Sequence, residues 1–250
     1  MISLRGKSVL ITGGSRGLGA ATAHAFAKEG ANILVNYISD EASATNVAAE
    51  ISDKYGVKAD TIQGDVGAEE NCVRIVNECI ALFGGVDVIV SNAGWTKISD
   101  FGDLNALNEA EWDKCWAVNV KANLHLLRAA SESFNANPDG GSFLISSSAA
   151  AITPSGSAMA YSVTKAAGLH LMRCLARTQG PKIRVNAVLP GLLLTDWGNR
   201  FGAEKIEKMK EMAALKDYPT VEECADAFVL MAKSRTMTGA SLKIDAGLVP

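Results

Sequence analysis

Short β-rich apolar runs alternate along this chain with segments whose apolar residues recur at helical spacing. The pattern predicts seven strands: Ser8–Thr12, Asn32–Tyr37, Val57–Gln63, Val86–Ser91, Ser142–Ser147, Ile183–Leu189 and Ser241–Ile244. Helices are predicted at Gly17–Glu29, Glu41–Tyr55, Ala68–Phe83, a long one around Ala110–Phe134, and Ser157–Thr178. A looser segment then leads to helices at Ala203–Ala214 and Val221–Lys233. Strands that are apolar without alternation are buried on both faces, so this βαβα rhythm predicts a parallel sheet covered by helices on both sides. Right-handed crossovers favour a doubly wound α/β sheet with any ligand at the carboxyl ends of its strands.

Composition narrows the class. A chain of 250 residues, 48% of them hydrophobic, fits one domain spanning 1–250 better than two. Six prolines and no low-complexity tract leave no linker. The net charge of −3, with Lys and Arg scattered, argues against a nucleic-acid partner. Cys72, Cys79, Cys115, Cys174 and Cys224 form neither a CxxC pair nor a Cys/His ligand set, and read as reduced thiols of a cytoplasmic protein rather than disulfides or metal ligands. No apolar run approaches the roughly 20 residues of a membrane span. The first strand begins at Ser8, which leaves no room for a secretory leader.

Candidate proton chemistry lies between Phe143 and Gly168. Tyr161 and Lys165, four apart on a helix, share one face, and Ser148 sits thirteen residues upstream at the end of a strand, where a short loop can return its hydroxyl to the phenol. A neighbouring ammonium is expected to lower the phenol pKa from about 10 toward working pH. Taken alone, the YxxxK spacing equally describes a helix with one buried Tyr and one solvated Lys.

The first strand-to-helix turn reads Thr12-Gly13-Gly14-Ser15-Arg16-Gly17-Leu18-Gly19. Glycines there allow a tight turn and close ligand approach, and the following helix offers unpaired N–H groups to a pyrophosphate, as a Rossmann-type fingerprint requires. Gly13, Ser15, Arg16, Gly17, Leu18 and Gly19 are therefore candidate cofactor contacts. At the end of the second strand stand Asn36, Tyr37, Ile38 and Ser39, with no carboxylate before Asp40. An acid at that point would hydrogen-bond the 2′-OH of NAD and repel the 2′-phosphate of NADP, so Asn36 and Tyr37 beside a phosphate-pairing Arg16 favour NADP(H). The alternative is a solvated Arg16 with Asp40 or Glu41 on the ribose. Asp65-Val66 follows the third strand, where the carboxylate can accept from adenine or form an Asx turn or helix cap. Asn92-Ala93-Gly94 follows the fourth, as a close-approach site or an ordinary turn. Asn119, a poor helix former inside the long helix, points to a functional or helix-distorting role.

Together TGGSRGLG, the NAG at Asn92, Asn119, Ser148 and the YxxxK at Tyr161 resemble the short-chain dehydrogenase/reductase family, most closely its 3-oxoacyl-(acyl-carrier-protein) reductase-like members, from about Lys7 to Asp245-Ala246-Gly247. The resemblance implies that Tyr161 is the general acid, that Ser148 holds the carbonyl oxygen, that Lys165 lowers the phenol pKa and binds the nicotinamide ribose, and that Asn119 positions a water. It implies too that Pro190, Gly191, Leu193 and Thr195 cradle the nicotinamide carboxamide, that residues 191–220 form a substrate lid, and that the chain assembles as a homotetramer through its two long helices. Asp-Ala-Gly stands where the family more often has Asp-Gly-Gly. The individual lid, with Trp197, Phe201 and GAEKIEKMKEM, leaves the substrate open. Trp95 and Trp197 can line a pocket for an apolar or aromatic ketone or pack in the core, with Pro154 and Met159 as further wall. His24, His125 and His170 are expected in packing or surface positions. Trp112 and Trp116, four apart, suggest a helix–helix contact. The expected function is NADPH-dependent carbonyl reduction; the alternatives are an NAD-dependent alcohol dehydrogenase and a catalytically silent cofactor sensor.

Overall fold

The structure, a computed structural model, describes residues 1–249. Strands β1 (Ser8–Ile11), β2 (Asn32–Tyr37), β3 (Ala59–Gln63), β4 (Val88–Ser91), β5 (Gly141–Ser146), β6 (Ile183–Pro190) and β7 (Ser241–Ile244) form one sheet in the order β3-β2-β1-β4-β5-β6-β7. Every pairing is parallel. The helices are α1 (Gly17–Lys28), α2 (Glu41–Tyr55), α3 (Glu69–Phe83), α4 (Glu109–Trp116), α5 (Ala122–Ala136), α6 (Met159–Thr178), the short α7 (Asp196–Asn199), α8 (Ala203–Met212) and α9 (Val221–Lys233).

Successive strand residues serve opposite cores, as the pleat requires. Leu10, Ile89 and Phe143 pack with residues of α3, α5 and α6. Val9, Ile11, Val88 and Val90 pack with residues of α1, α2 and α9. Phe26, Phe134, Phe143 and Phe228 are fully buried, each worth roughly 2–3 kcal/mol of apolar burial. Cys72, Cys79 and Cys224 lie in these cores, Cys115 is buried elsewhere and Cys174 is exposed; all five are free thiols. No helix among the described residues is long and apolar enough to cross a membrane.

Local chemistry sets the element ends. Asp40 caps α2 by accepting from the Ser43 N–H at 3.1 Å. Asn108 with Glu111, and Thr220 with Glu223, form reciprocal capping boxes at α4 and α9. Gly56 and Gly84 end α2 and α3 in the left-handed conformation. Strand β4 begins at Val88 rather than Val86, because the Val86 N–H bonds the Ser133 hydroxyl. The long helix expected around Ala110–Phe134 is instead α4 and α5 joined by a π-helical turn at Ala117–Lys121. That wide turn carries Asn119 inward, where its amide finds partners off the helix, so the helix-distorting reading of Asn119 holds.

The strand order reverses between β1 and β4, whose carboxyl ends are clasped together. The Thr12 hydroxyl accepts from the Asn92 and Ala93 N–H groups, each at 3.0 Å, while the Asn92 amide donates to the Thr12 and Gly13 carbonyls, each at 3.1 Å. Beyond β7 the chain turns through Asp245, whose two carboxylate oxygens accept from Gly247 and Val249, each at 3.0 Å. Ala246 in that turn adopts φ +54°, a left-handed conformation that Cβ disfavours. Ala246→Gly is therefore expected to stabilise the fold by about 0.5–1 kcal/mol, the relief of strain exceeding the added chain entropy. Urea unfolding checks this: the midpoint should rise at constant slope, and an unchanged or lower midpoint refutes the strain.

Candidate active site

A cavity of about 820 Å³ opens at the carboxyl ends of the strands, over the reversal point. Its floor at one end is the glycine turn. Gly13 and Gly17 have φ of +61° and +54°, and a Cβ on Gly19 would lie 2.2 Å from the Gly13 carbonyl oxygen. Only glycine allows α1 to start this close to the turn. No side chain caps α1, a helix of twelve residues, so its first N–H groups are open to a ligand. These features fit a pyrophosphate.

The remaining cofactor-side candidates sort by what their polar atoms do. Ser15, Arg16, Leu18, Tyr37, Val66, Ala93 and Gly94 line the cavity. Asn36 lines it too, but its amide donates to the Ile62 and Gly64 carbonyls at 3.2 and 3.0 Å and its oxygen accepts from Gly13 N–H at 3.4 Å. It staples β2, β3 and the glycine turn together while lining the cavity. Asn92 is likewise used in the clasp. One oxygen of Asp65 accepts from Gly67 at 2.8 Å, the Asx turn weighed above, and the second has no recorded partner. Arg16 is mostly exposed, about 4.0 Å from both Asp40 and Asp196. Asp40 does not line the cavity: hydrogen bonds from Ser43, then the charge of Arg16, hold its carboxyl below the usual range as a helix cap.

Beyond β6, Pro190, Gly191, Leu193 and Thr195 complete this end. A Cβ on Gly191 would lie 2.8 Å from the Asp245 backbone, and one on Gly17 would touch the Thr195 methyl at 3.3 Å. Thr195 caps α7, which brings Trp197 over Tyr161 with ring centroids 6.0 Å apart.

The candidate proton-handling residues meet on one wall. The Ser148 hydroxyl accepts from the Ala150 N–H at 3.1 Å in the turn after β5 and lines the cavity together with Tyr161. Ser162, which carried no role in the sequence reading, shares its hydroxyl proton between the Ala150 and Thr153 carbonyls at 2.8 and 3.1 Å, pinning that turn to α6. Lys165 is buried; its Nζ donates to the Ser146 carbonyl at 2.7 Å and lies 5.5 Å from the Tyr161 ring centre.

Burial dominates both groups. It pushes the Tyr161 phenol up to about 12, opposed by the Ser148 hydrogen bond and reinforced by Cys115, and it brings the Lys165 ammonium down to about 8. Desolvation being the largest cause, the phenol lies above its ordinary value, where the Tyr161–Lys165 spacing alone led to an expected lowering. Although part of the Tyr161 ring reaches the cavity, the cavity is itself recessed, so the phenol behaves as a buried group.

Asn119 does not line the cavity. Its oxygen accepts from the Trp95 N–H at 2.9 Å, and its amide donates to the Trp95 carbonyl, the Thr164 hydroxyl and the Cys115 sulfur at 3.0, 3.0 and 3.2 Å. Those bonds tie Asn119 to Trp95 and, through the Thr164 hydroxyl, to α6, so its side chain positions its neighbours.

Trp95, Pro154 and Trp197 line the substrate end, whereas Met159, at the start of α6, lies outside the cavity. Phe101, Phe201, Met209, Met212, Leu248 and Val249 also line it and were not assigned from sequence. The only sequence signal for the last two was an apolar pair just past the final strand.

Sheet order, glycine turn and cavity define a dinucleotide-binding α/β protein. A family model described as enoyl-(acyl carrier protein) reductase matches residues 13–249. The chain is 32% identical to the L-rhamnose 1-dehydrogenase (NADP(+)) of Thermoplasma acidophilum, covering 100% of this chain and 98% of that protein. It is 32% identical to a 3-oxoacyl-(acyl-carrier-protein) reductase of Staphylococcus epidermidis, covering 97% and 98%. A short-chain dehydrogenase from Burkholderia cenocepacia J2315, solved in complex with NADP, superposes with a TM-score of 0.90 at 31% identity over 99% of both chains. This chain belongs to the short-chain dehydrogenase/reductase family of oxidoreductases.

Because its folded pKa lies below the unfolded value of 10.5, Lys165 destabilises the fold while charged. That penalty is full below about pH 8 and disappears as pH rises to about 10.5, where the unfolded chain also loses the proton. Lys165→Met should be more stable than the parent at pH 7 by on the order of 2 kcal/mol, the gap narrowing between pH 8 and 10.5. Denaturant unfolding across that range tests it; a variant less stable at pH 7 contradicts the account.

Proposed function

We propose that this protein is an NADPH-dependent reductase that converts a ketone or 3-oxoacyl compound to a secondary alcohol, with Tyr161 as general acid. The observation that carries the reading is the meeting of Ser148, Tyr161 and Lys165 on one wall of the cavity whose floor is the glycine turn. Bound NADPH supplies the hydride that reaches the carbonyl carbon. Ser148, oriented by the Ala150 N–H, holds the carbonyl oxygen by donating its proton. Tyr161 gives its phenolic proton to that oxygen; held up to about 12, the phenol is protonated throughout neutral pH and ready as an acid. Lys165, anchored on the Ser146 carbonyl, stabilises the phenolate left behind and is placed to bind ribose hydroxyls.

Preference for NADPH rests on Arg16, which lines the cavity, and on Asp40, the nearest carboxylate, being used as the cap of α2. The relatives named for NADP support the same choice. Residues 191–220 act as the substrate lid of a single catalytic domain 1–250. The five free thiols suit a cytoplasmic setting, and the exposed Trp116 and Val163 on α4 and α6 suit tetramer contacts.

Purified protein should oxidise NADPH with one or more members of a carbonyl panel; cofactor binding without turnover across the panel counts against the reading. Tyr161→Phe should lower reduction at least a hundredfold while leaving the NADPH Kd unchanged, and undiminished turnover refutes the general-acid role. Arg16→Ala should cut the NADPH-over-NADH preference in binding by about tenfold, the worth of a charge-assisted phosphate contact. Equal affinities in the parent protein would favour the NAD-dependent alternative.

A further inference from the structure

The substrate end of the cavity has an uneven charge. Its wall is aromatic and thioether, with Trp95, Phe101, Trp197, Phe201, Met209 and Met212, yet Lys114 and Lys205 also line it. Each ammonium stands over an aromatic face of that wall: Lys114 Nζ is 5.4 Å from the centre of a Trp95 ring and Lys205 Nζ 5.0 Å from that of Phe201. Among the described residues, neither lysine has a carboxylate within 4.0 Å. The acid best placed to neutralise Lys114, Glu111 one turn earlier on α4, is bound to Lys97 at 2.8 Å and to the Asn108 N–H at 3.0 Å. The cavity carboxylates lie elsewhere: Asp65 belongs to the glycine-turn end, and Asp196 faces Arg16 at 4.0 Å.

An aromatic face holds an ammonium without neutralising it, so the cation keeps its charge for a further partner. The long apolar stems of the lysines extend the greasy wall while their heads remain polar. A neutral ketone would use only the wall. We propose that the substrate is an oxo compound with an apolar or aromatic body and an anionic end, carboxylate or phosphate, and that Lys114 and Lys205 are the residues that select it. This rests on the carbonyl-reductase reading above and names its substrate class.

The test compares matched ketones of equal chain length that end in a methyl ester, a carboxylate or a phosphate, together with a 3-oxoacyl phosphopantetheine thioester, using NADPH and the full chain. The expected result is a kcat/KM about fivefold or more higher for the anionic forms, arising mainly in KM and shrinking with added salt, as contacts between partly exposed charges do. Lys114→Met with Lys205→Met keeps the apolar stems; it should bring the anion preference to near parity while leaving ester reduction and the NADPH Kd unchanged. A larger preference for carboxylate identifies a free oxo acid, and one for the phosphate and the thioester identifies a phosphorylated carrier arm. If the ester is reduced as well as the anions, or if the preference survives the double substitution, this proposal falls while the reductase reading stands. If none of the ketones is reduced, the reductase reading falls and takes this proposal with it.

Discussion

The clasp between the carboxyl ends of β1 and β4 is the contact on which the site depends. Parallel strands on either side of a reversal in sheet order send their following segments to opposite faces, which leaves a crevice between them. Thr12 and Asn92 hold that crevice at fixed width by four hydrogen bonds across it. Gly19 can lie against the Gly13 carbonyl and the Asn92 amide because it carries no side chain. The first N–H groups of α1 and the small residues after β4 are thereby brought to one point.

From that fixed floor the chemistry is built outward through backbone contacts. Ser162 pins the turn that carries Ser148, the Ser146 carbonyl anchors Lys165, and Asn119 holds Trp95 against α6 through Thr164. Burial raises the energy of the ionised form of each group, which works against folding and keeps the phenol protonated until an oxygen takes its proton. The π-helical turn carries Asn119, whose side chain reaches Trp95 and Thr164 beside the cavity.

The wall opposite has fewer constraints. Helix α8 has no buried residue, and it lines the cavity with Lys205, Met209 and Met212, following Phe201 just before it, each three or four residues from the next. A segment held by so little packing can vary in sequence without cost to the core.

By itself the sequence determined the seven-stranded α/β order, the glycine turn and the Ser148, Tyr161 and Lys165 set, because periodicity, glycine and i,i+4 spacing are local properties. Asn119 was legible as an unusual residue and Asn36 as a candidate contact, but the backbone bonds of neither were, since an amide beside a ligand site looks the same in sequence whether it faces the ligand or the backbone. The apparent Tyr–Lys partnership also misled in its electrostatics: spacing gives proximity, whereas the pKa depends on burial, which is a sum over the whole fold. Only the tertiary structure decided that Met159 points away from the cavity, that Leu248 and Val249 return to it, and that Glu111 is taken by Lys97. Each of these depends on contacts between elements far apart in the chain, and no local pattern records them.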